Sequence, residues 1–316
     1  MQQQLTTGGM VGKDVLTWLD FTSIEIERLL QQSLVLKEQL QEGIPHETLK
    51  GKSLGMIFQN ASTRTRVSFE VGMTQLGGHS LFLSGKDMQI GRGEPVQDTA
   101  RVMSRYVDAI MIRANDHEMV KKLAEMSEVP VINALTDEDH PCQALADAMT
   151  LKEQFTDLHG LKLVYVGDGN NVAVSLMIIC AKLGIHFTMA APVGHTGDKE
   201  VWEKAKAVAK ETGSIIEHVV DPLEAVQEAD VIYTDVWTSM GAEEEQQNRI
   251  DIFKAYQVNE SLMEAAKPDA KFMHCLPAHR GEEVTEDVLE GTNSIVFDQA
   301  ENRLHVQKAI LQSVIG

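Results

Sequence analysis

Ser53-Leu-Gly-Met-Ile-Phe58 runs into Asn60-Ala-Ser62-Thr63-Arg64-Thr65-Arg66-Val-Ser68-Phe69-Glu70, and this junction sets the fold. The first segment is a short continuous apolar run, which predicts a buried strand. After Ser62 the spacing turns helical, with Val67, Val71 and Thr74 on one predicted face, so the loop delivers a helix N-terminus. Such a terminus attracts anions through its unsatisfied N–H groups and the positive end of the helix dipole. Ser62, Thr63 and Thr65 add hydroxyl donors, and Arg64 adds a fork suited to phosphate. Arg66 is expected to be structural, because two residues turn it about 200° from Arg64 and towards Glu70. A plain Ser/Thr-capped helix needs one of these hydroxyls; three of them and an arginine in one turn favour an oxyanion site.

Outward from this junction the pattern is strand alternating with helix. A helix around Thr22 to Glu42 precedes it. His79-Ser-Leu-Phe-Leu83 reads as a strand, Ser84 to Pro95 as a long polar loop containing Gln89, Val96 to Tyr106 as a helix, and Asp108 to Ile112 as a strand ending at Arg113. The strand Val129 to Asn133 leads to Asp137-Glu-Asp-His140-Pro-Cys142-Gln143 and a helix from Pro141 to Gln154. The series restarts at Leu161 to Val166 and continues through His186 to Ala190, Ser214 to His218, Val231 to Thr234 and Lys271 to His274. Ser294 to Phe297 is predicted as a last strand, followed by a helix from Gln299 to Val314. This is the α/β class, with two doubly wound parallel-sheet domains and an active-site cleft expected between them. The predicted domains are residues 1–143, with a C-terminal helix at 299–316 packing back on them, and residues 144–298. Ligands in such sheets bind beyond the carboxyl ends of strands, where the Arg64 loop, Arg113, His140 and Gln143 all fall.

Composition excludes several classes. Of 316 residues, 43% are hydrophobic, enough for a sizeable core, and the net charge of −19 opposes nucleic acid or an anionic membrane as partner. The three cysteines, Cys142, Cys180 and Cys275, form no CxxC pair, so neither a zinc motif nor a disulfide framework is expected. With no signal-like N-terminus and no membrane-length apolar run, a cytoplasmic protein is expected.

Two nucleotide motifs fail on inspection. Gly12-Lys13 lacks the first P-loop glycine, with Thr7 in its place, and Asp14 replaces the Ser/Thr. Gly167-Asp168-Gly169-Asn170-Asn171-Val172 carries valine where a dinucleotide turn needs a small residue, and no acidic ribose ligand follows the strand ending near Ala190. Asn170 and Asn171 instead offer amides to an amino-acid substrate, or serve as a capped turn. Asp235 ends a strand and could pair with an ammonium or cap a helix. Cys275, in His274-Cys275-Leu276-Pro277, could be a nucleophile or an inert thiol.

Ser62-Thr63-Arg64-Thr65-Arg66, His140-Pro141-Cys142-Gln143, Asp235 with Ser239-Met240-Gly241, and His274-Cys275-Leu276-Pro277 occur in the order and spacing of the transcarbamylases. The chain resembles that family end to end, in its ornithine-using form. The resemblance implies carbamoyl transfer from carbamoyl phosphate to the δ-amine of L-ornithine, with no cofactor and no metal. It further implies that Ser62, Thr63, Arg64, Thr65, Gln89, Arg113, His140, Gln143, Cys275, Leu276 and Arg303 bind carbamoyl phosphate. Of these, Thr65, Arg113, His140 and Cys275 act at the reacting group. Asn171, Asp235, Ser239 and Met240 are implied for ornithine, Asn170 being the weaker candidate of the amide pair. The Gln89 loop resembles one that reaches a neighbouring subunit, implying a homotrimer with shared sites.

Overall fold

The computed structural model describes residues 9–238 and 246–316. Contacts divide the chain into two compact units, Met1–Met149 with Glu301–Gly316, and Thr150–Ala300. In chain order the elements are α1 (Ser23–Gln41), β1 (Ser53–Phe58), α2 (Thr63–Gln75), β2 (His79–Ser84), α3 (Val96–Met103), β3 (Ala109–Arg113), α4 (His117–Met126), β4 (Val131–Leu135) and α5 (Pro141–Gln154). They continue with β5 (Lys162–Val166), α6 (Asn171–Leu183), β6 (His186–Ala190), α7 (Lys199–Thr212), β7 (Ile216–Val219), α8 (Pro222–Ala225) and β8 (Val231–Thr234). The last are α9 (Gln246–Phe253), α10 (Glu260–Glu264), β9 (Lys271–His274), α11 (Glu286–Leu289) and α12 (Val296–Ile315).

Both sheets are parallel throughout. The first has the order β2-β1-β3-β4 and the second β7-β6-β5-β8-β9. Each therefore reverses its winding once, between β1 and β3 in the first unit and between β5 and β8 in the second. The ladders at these reversals end with Phe58 opposite Arg113 and Val166 opposite Thr234. Two neighbouring loops leave the sheet in divergent directions at each place, which opens a crevice at the carboxyl ends. Their strands read as continuous apolar runs because both faces are covered, and Met56, Ile57, Ile110, Val164 and Ile232 are fully buried.

One expectation changes, and the buried face of α2 is settled. Ser294 to Phe297 is not a strand: Ser294 makes one isolated bridge to Phe272, and α12 begins at Val296. Ile295 and Val296 are both buried while Phe297 is 63% exposed, and two consecutive buried residues break the alternation that a half-buried strand requires. On α2 the core face is Thr65, Phe69, Gly72 and Met73, whereas Val67 and Val71 are 51% and 38% exposed. Gly72 explains the choice of face, since a Cβ there would lie 3.3 Å from Lys308 Cγ on α12. The close approach of α2 and α12 carries the first of the two sites. Among the described residues no helix is long and apolar enough to cross a membrane.

Candidate active site

At the first reversal, Ser62 caps α2. Its Oγ accepts from the Thr65 N–H at 3.4 Å and donates to Thr65 Oγ1 at 3.1 Å. Arg303 on α12 donates from Nη2 to the same Thr65 oxygen at 3.2 Å and from Nη1 to Gln143 Oε1 at 2.8 Å. Both lone pairs of the Thr65 hydroxyl are thus engaged, and its own proton is left to donate. Gln143 in turn donates from Nε2 to Asp147 Oδ1 at 2.8 Å. Thr65, Gln143, Asp147 and Arg303 are all buried, as are Arg113 and His140.

His140 is held in place from behind. Trp18 Nε1 donates to the Pro141 carbonyl at 2.8 Å, and Asn133 Nδ2 reaches the Asp139 carbonyl at 3.4 Å. Burial, then the positive charges of Arg303 and Arg113, hold the imidazole well below its usual pKa. It is neutral at physiological pH and can hydrogen-bond without adding a charge. Thr63 and Arg64 are exposed in the turn that carries Thr65. Arg66 turns away, its Nε 2.9 Å from Glu70 Oε1 and its guanidinium 3.8 Å from the centre of the Phe82 ring. Gln89 lies exposed in a 3-10 turn, Gln89–Arg92, and none of the bonds above ties it to this cluster. The Cys142 thiol is fully buried against the Asn133 carbonyl and pushed up to about 12 by that burial, which removes it as a nucleophile.

At the second reversal the turn Gly167 to Asn170 follows β5. A Cβ on Gly169 would fall 2.3 Å from the Thr196 carbonyl carbon, so this glycine serves backbone packing against the 195–197 segment. Asn170 Oδ1 accepts from the N–H groups of Val172 at 3.0 Å and Ala173 at 3.1 Å, and from the Tyr165 hydroxyl at 3.2 Å. Its Nδ2 donates to Asp235 Oδ2 at 2.7 Å. Asn170 engages both ends of its amide in capping α6 and orienting Asp235, while Asn171 stands half-buried beside it. Cys275 Sγ donates to Asp235 Oδ1 at 3.0 Å. Burial and the nearby Asp235 raise the Tyr165 pKa well above its usual value, so it remains a phenol.

His274 organises the loop that presents Cys275 and Leu276. Its Nδ1 accepts the Leu276 N–H at 2.9 Å, which places the ring proton on Nε2, facing Glu283 Oε1 at 3.1 Å. Both His274 and Glu283 are fully buried. This tie holds Leu276 at φ 57°, a left-handed conformation that a leucine rarely adopts. Asp235, His274 and Cys275 do bring one ligand-type atom each within 4.8 Å of one another. Both ring nitrogens of His274 are already engaged, however, so the trio is not arranged as a metal centre. Arg249 on α9 pairs with Asp168 and with the Trp237 carbonyl. Ser239 and Met240 lie outside the described residues.

Sequence reading missed Asp147, Glu283 and Arg249. Asp147 was open to detection, standing one helical turn after Gln143 on a predicted helix. Glu283 and Arg249 reach their partners only through tertiary packing.

This pair of sites, a cationic and hydroxyl-rich one on the first unit and an acid–amide one on the second, agrees with comparison to known proteins. The carbamoyl-P binding domain of the aspartate/ornithine carbamoyltransferases matches residues 13–153, and their Asp/Orn binding domain matches residues 159–314. The chain belongs to the aspartate/ornithine carbamoyltransferase family. Within it, the chain is 60% identical over 304 residues to an ornithine carbamoyltransferase of Halalkalibacterium halodurans, covering 96% of this chain and 95% of that protein. It is 55% identical over 311 residues to the one from Bacillus subtilis, covering 98% and 96%. The solved ornithine carbamoyltransferase of Pyrococcus furiosus superposes with a TM-score of 0.95 at 55% identity, over 97% of this chain and 98% of that one.

Proposed function

We propose that the chain transfers the carbamoyl group from carbamoyl phosphate to the δ-amine of L-ornithine, giving L-citrulline and phosphate. The observation that carries this reading is the buried Thr65–Arg303–Gln143 cluster at the N-terminus of α2, where the first sheet reverses. The first unit binds carbamoyl phosphate. Its phosphate is held by the α2 N–H groups, Ser62, Thr63, Arg64 and Arg303. Thr65, Arg113 and neutral His140 donate to the carbamoyl oxygen as negative charge develops there. The neutral δ-amine attacks the carbamoyl carbon, the C–O bond to phosphate breaks, and the departing phosphate takes the amine proton. Catalysis is mainly placement and charge stabilisation.

The second unit binds ornithine. Asp235 receives the α-ammonium, Asn171 with Ser239 and Met240 contacts the amino-acid end, and Cys275 and Leu276 border the reacting group. Cys275 acts as a positioning group and forms no covalent intermediate. A homotrimer with Gln89 serving a neighbouring site fits the edge strand β2. There Leu81 and Phe82 are each 40% exposed, and Val67 and Val71 add apolar surface from α2. A cytoplasmic location fits three free cysteines.

The test offers L-ornithine, putrescine, N-acetylornithine and aspartate separately with carbamoyl phosphate, scoring phosphate release and citrulline. Turnover with ornithine alone is expected. Turnover with putrescine would keep the donor site and overturn the acceptor, and silence with all four would leave a phosphate-metabolite sensor. Light scattering of the purified protein should give three times the chain mass; a monomer would remove the shared-site arrangement.

A further inference from the structure

Gln143 stands between two groups of opposite hydrogen-bonding type. Its Nε2 donates to Asp147 Oδ1 at 2.8 Å and its Oε1 accepts from Arg303 Nη1 at 2.8 Å. Asp147 Oδ1 accepts here and a guanidinium only donates, so the amide takes one orientation between them. Asp147 lies one helical turn further along α5, and Arg303 comes from α12. Asp147 is 0% exposed, Gln143 2% and Arg303 3%. No solvent is at hand to rescue a flipped amide, which would set N–H against guanidinium and oxygen against carboxylate. Unmade bonds in such a place cost more than made ones gain.

The orientation matters for what the first unit can recognise. Arg64, Arg113 and Arg303 offer donors only, and the Thr65 hydroxyl has both lone pairs engaged. Donors suit phosphate and carbonyl oxygens. They do not suit the amino group of a carbamoyl ester, which needs an acceptor. Gln143 Oε1 has two lone pairs, of which Arg303 takes one. Arg303 needs an acceptor on its side, and Asp147, by accepting from Nε2, holds the amide against rotation so that this oxygen stays there.

We propose that Asp147 is a positioning residue for donor specificity. By fixing the Gln143 amide, it keeps Oε1 as the acceptor for the NH2 of carbamoyl phosphate, and so disfavours acetyl phosphate, where a methyl group replaces that NH2. This rests on carbamoyl phosphate being the donor. Asp147 itself touches no reacting atom and acts through Gln143.

The experiment measures dissociation constants of the intact enzyme for phosphonoacetamide and 2-oxopropylphosphonate, stable analogues that differ in NH2 against CH3, with inorganic phosphate as control. The wild type should prefer the amide by about tenfold or more, from one hydrogen bond and its desolvation. Asp147→Asn, of the same shape but able to donate or accept, should narrow that ratio by about three- to tenfold and leave phosphate affinity within about twofold. An unchanged ratio overturns the proposal, as does an equal loss for all three ligands, which would mark a purely structural role. If Asp147→Asn fails to fold, Gln143→Leu decides: its ratio should fall to about one, and a retained preference removes Gln143 as the acceptor. Citrulline formation by the wild type is assayed alongside. Its absence counts against the donor reading itself, whereas turnover with an unmoved ratio counts against Asp147 alone.

Discussion

The two sheet reversals have the same topology and opposite chemistry. At β1 and β3, the helix that follows is capped only by Ser62, at 3.4 Å from one N–H, and arginines gather around it. At β5 and β8, Asn170 takes two N–H groups of α6 at 3.0 and 3.1 Å with one oxygen, and its nitrogen orients a carboxylate. The α6 terminus spends two N–H donors on Asn170, whereas Ser62 takes one at α2; the proposed function sets an anion at the first terminus and has Asp235 meet a cation at the second. Strand order alone therefore gives a crevice, and on the proposed function the residue at the cap decides the sign of what enters it.

The sharpest way to break this comparison is to remove the exposed cation of the first site. Arg64→Ala should lower kcat/KM for carbamoyl phosphate by roughly 10²- to 10³-fold, with an unchanged melting temperature, by steady-state kinetics and calorimetry. Next comes the carboxylate of the second site. Asp235→Asn, which keeps the shape and loses the charge, should raise KM for ornithine by about 10- to 100-fold while carbamoyl phosphate affinity holds. A matching loss for both substrates would erase the division of labour.

Cys275→Ser tests the boundary between placement and covalency. Turnover about tenfold lower is expected, with no carbamoyl adduct on the wild-type thiol by mass spectrometry. Complete loss in a folded protein would favour a nucleophile instead.

The smallest effect concerns pH and stability behind the first site. Burial, then Lys308, Lys37 and His46, push His305 down to about 3, despite Glu301 Oε1 at 3.5 Å. Between that value and the unfolded value near 6.5, the unfolded chain binds the extra proton. Stability is therefore present above about 6.5 and lost as pH falls through this window. His305→Leu should flatten the acid slope of the melting temperature between about pH 6.5 and 4. An unaltered slope would assign it to carboxylates elsewhere.

Most strands and helices were legible because burial on both faces writes parallel strands as apolar runs, and amphipathic helices show their period. The capped turn proposed as the anion site was legible for a local reason: Ser62, Thr63, Arg64 and Thr65 are consecutive, and the spacing already turned Arg66 towards Glu70. Which face of α2 is buried was not legible, because Gly72 lets α12 approach closely and nothing within α2 announces a partner some 230 residues on. Arg303 entered the sequence reading through family resemblance, and its bonds to Thr65 and Gln143 come from tertiary packing.

By itself the sequence determined the alternation of strand and helix, the charged turn after β1 and the failure of both nucleotide motifs, because each depends on neighbours within a few residues. Tertiary structure decided that Asn170 would be consumed and Asn171 left half-buried, that His274 would carry its proton on Nε2, and that Asp147 would lock Gln143. Each of these depends on which donor meets which acceptor in a buried place, and hydrogen-bond direction is set by atoms that the chain brings together only on folding.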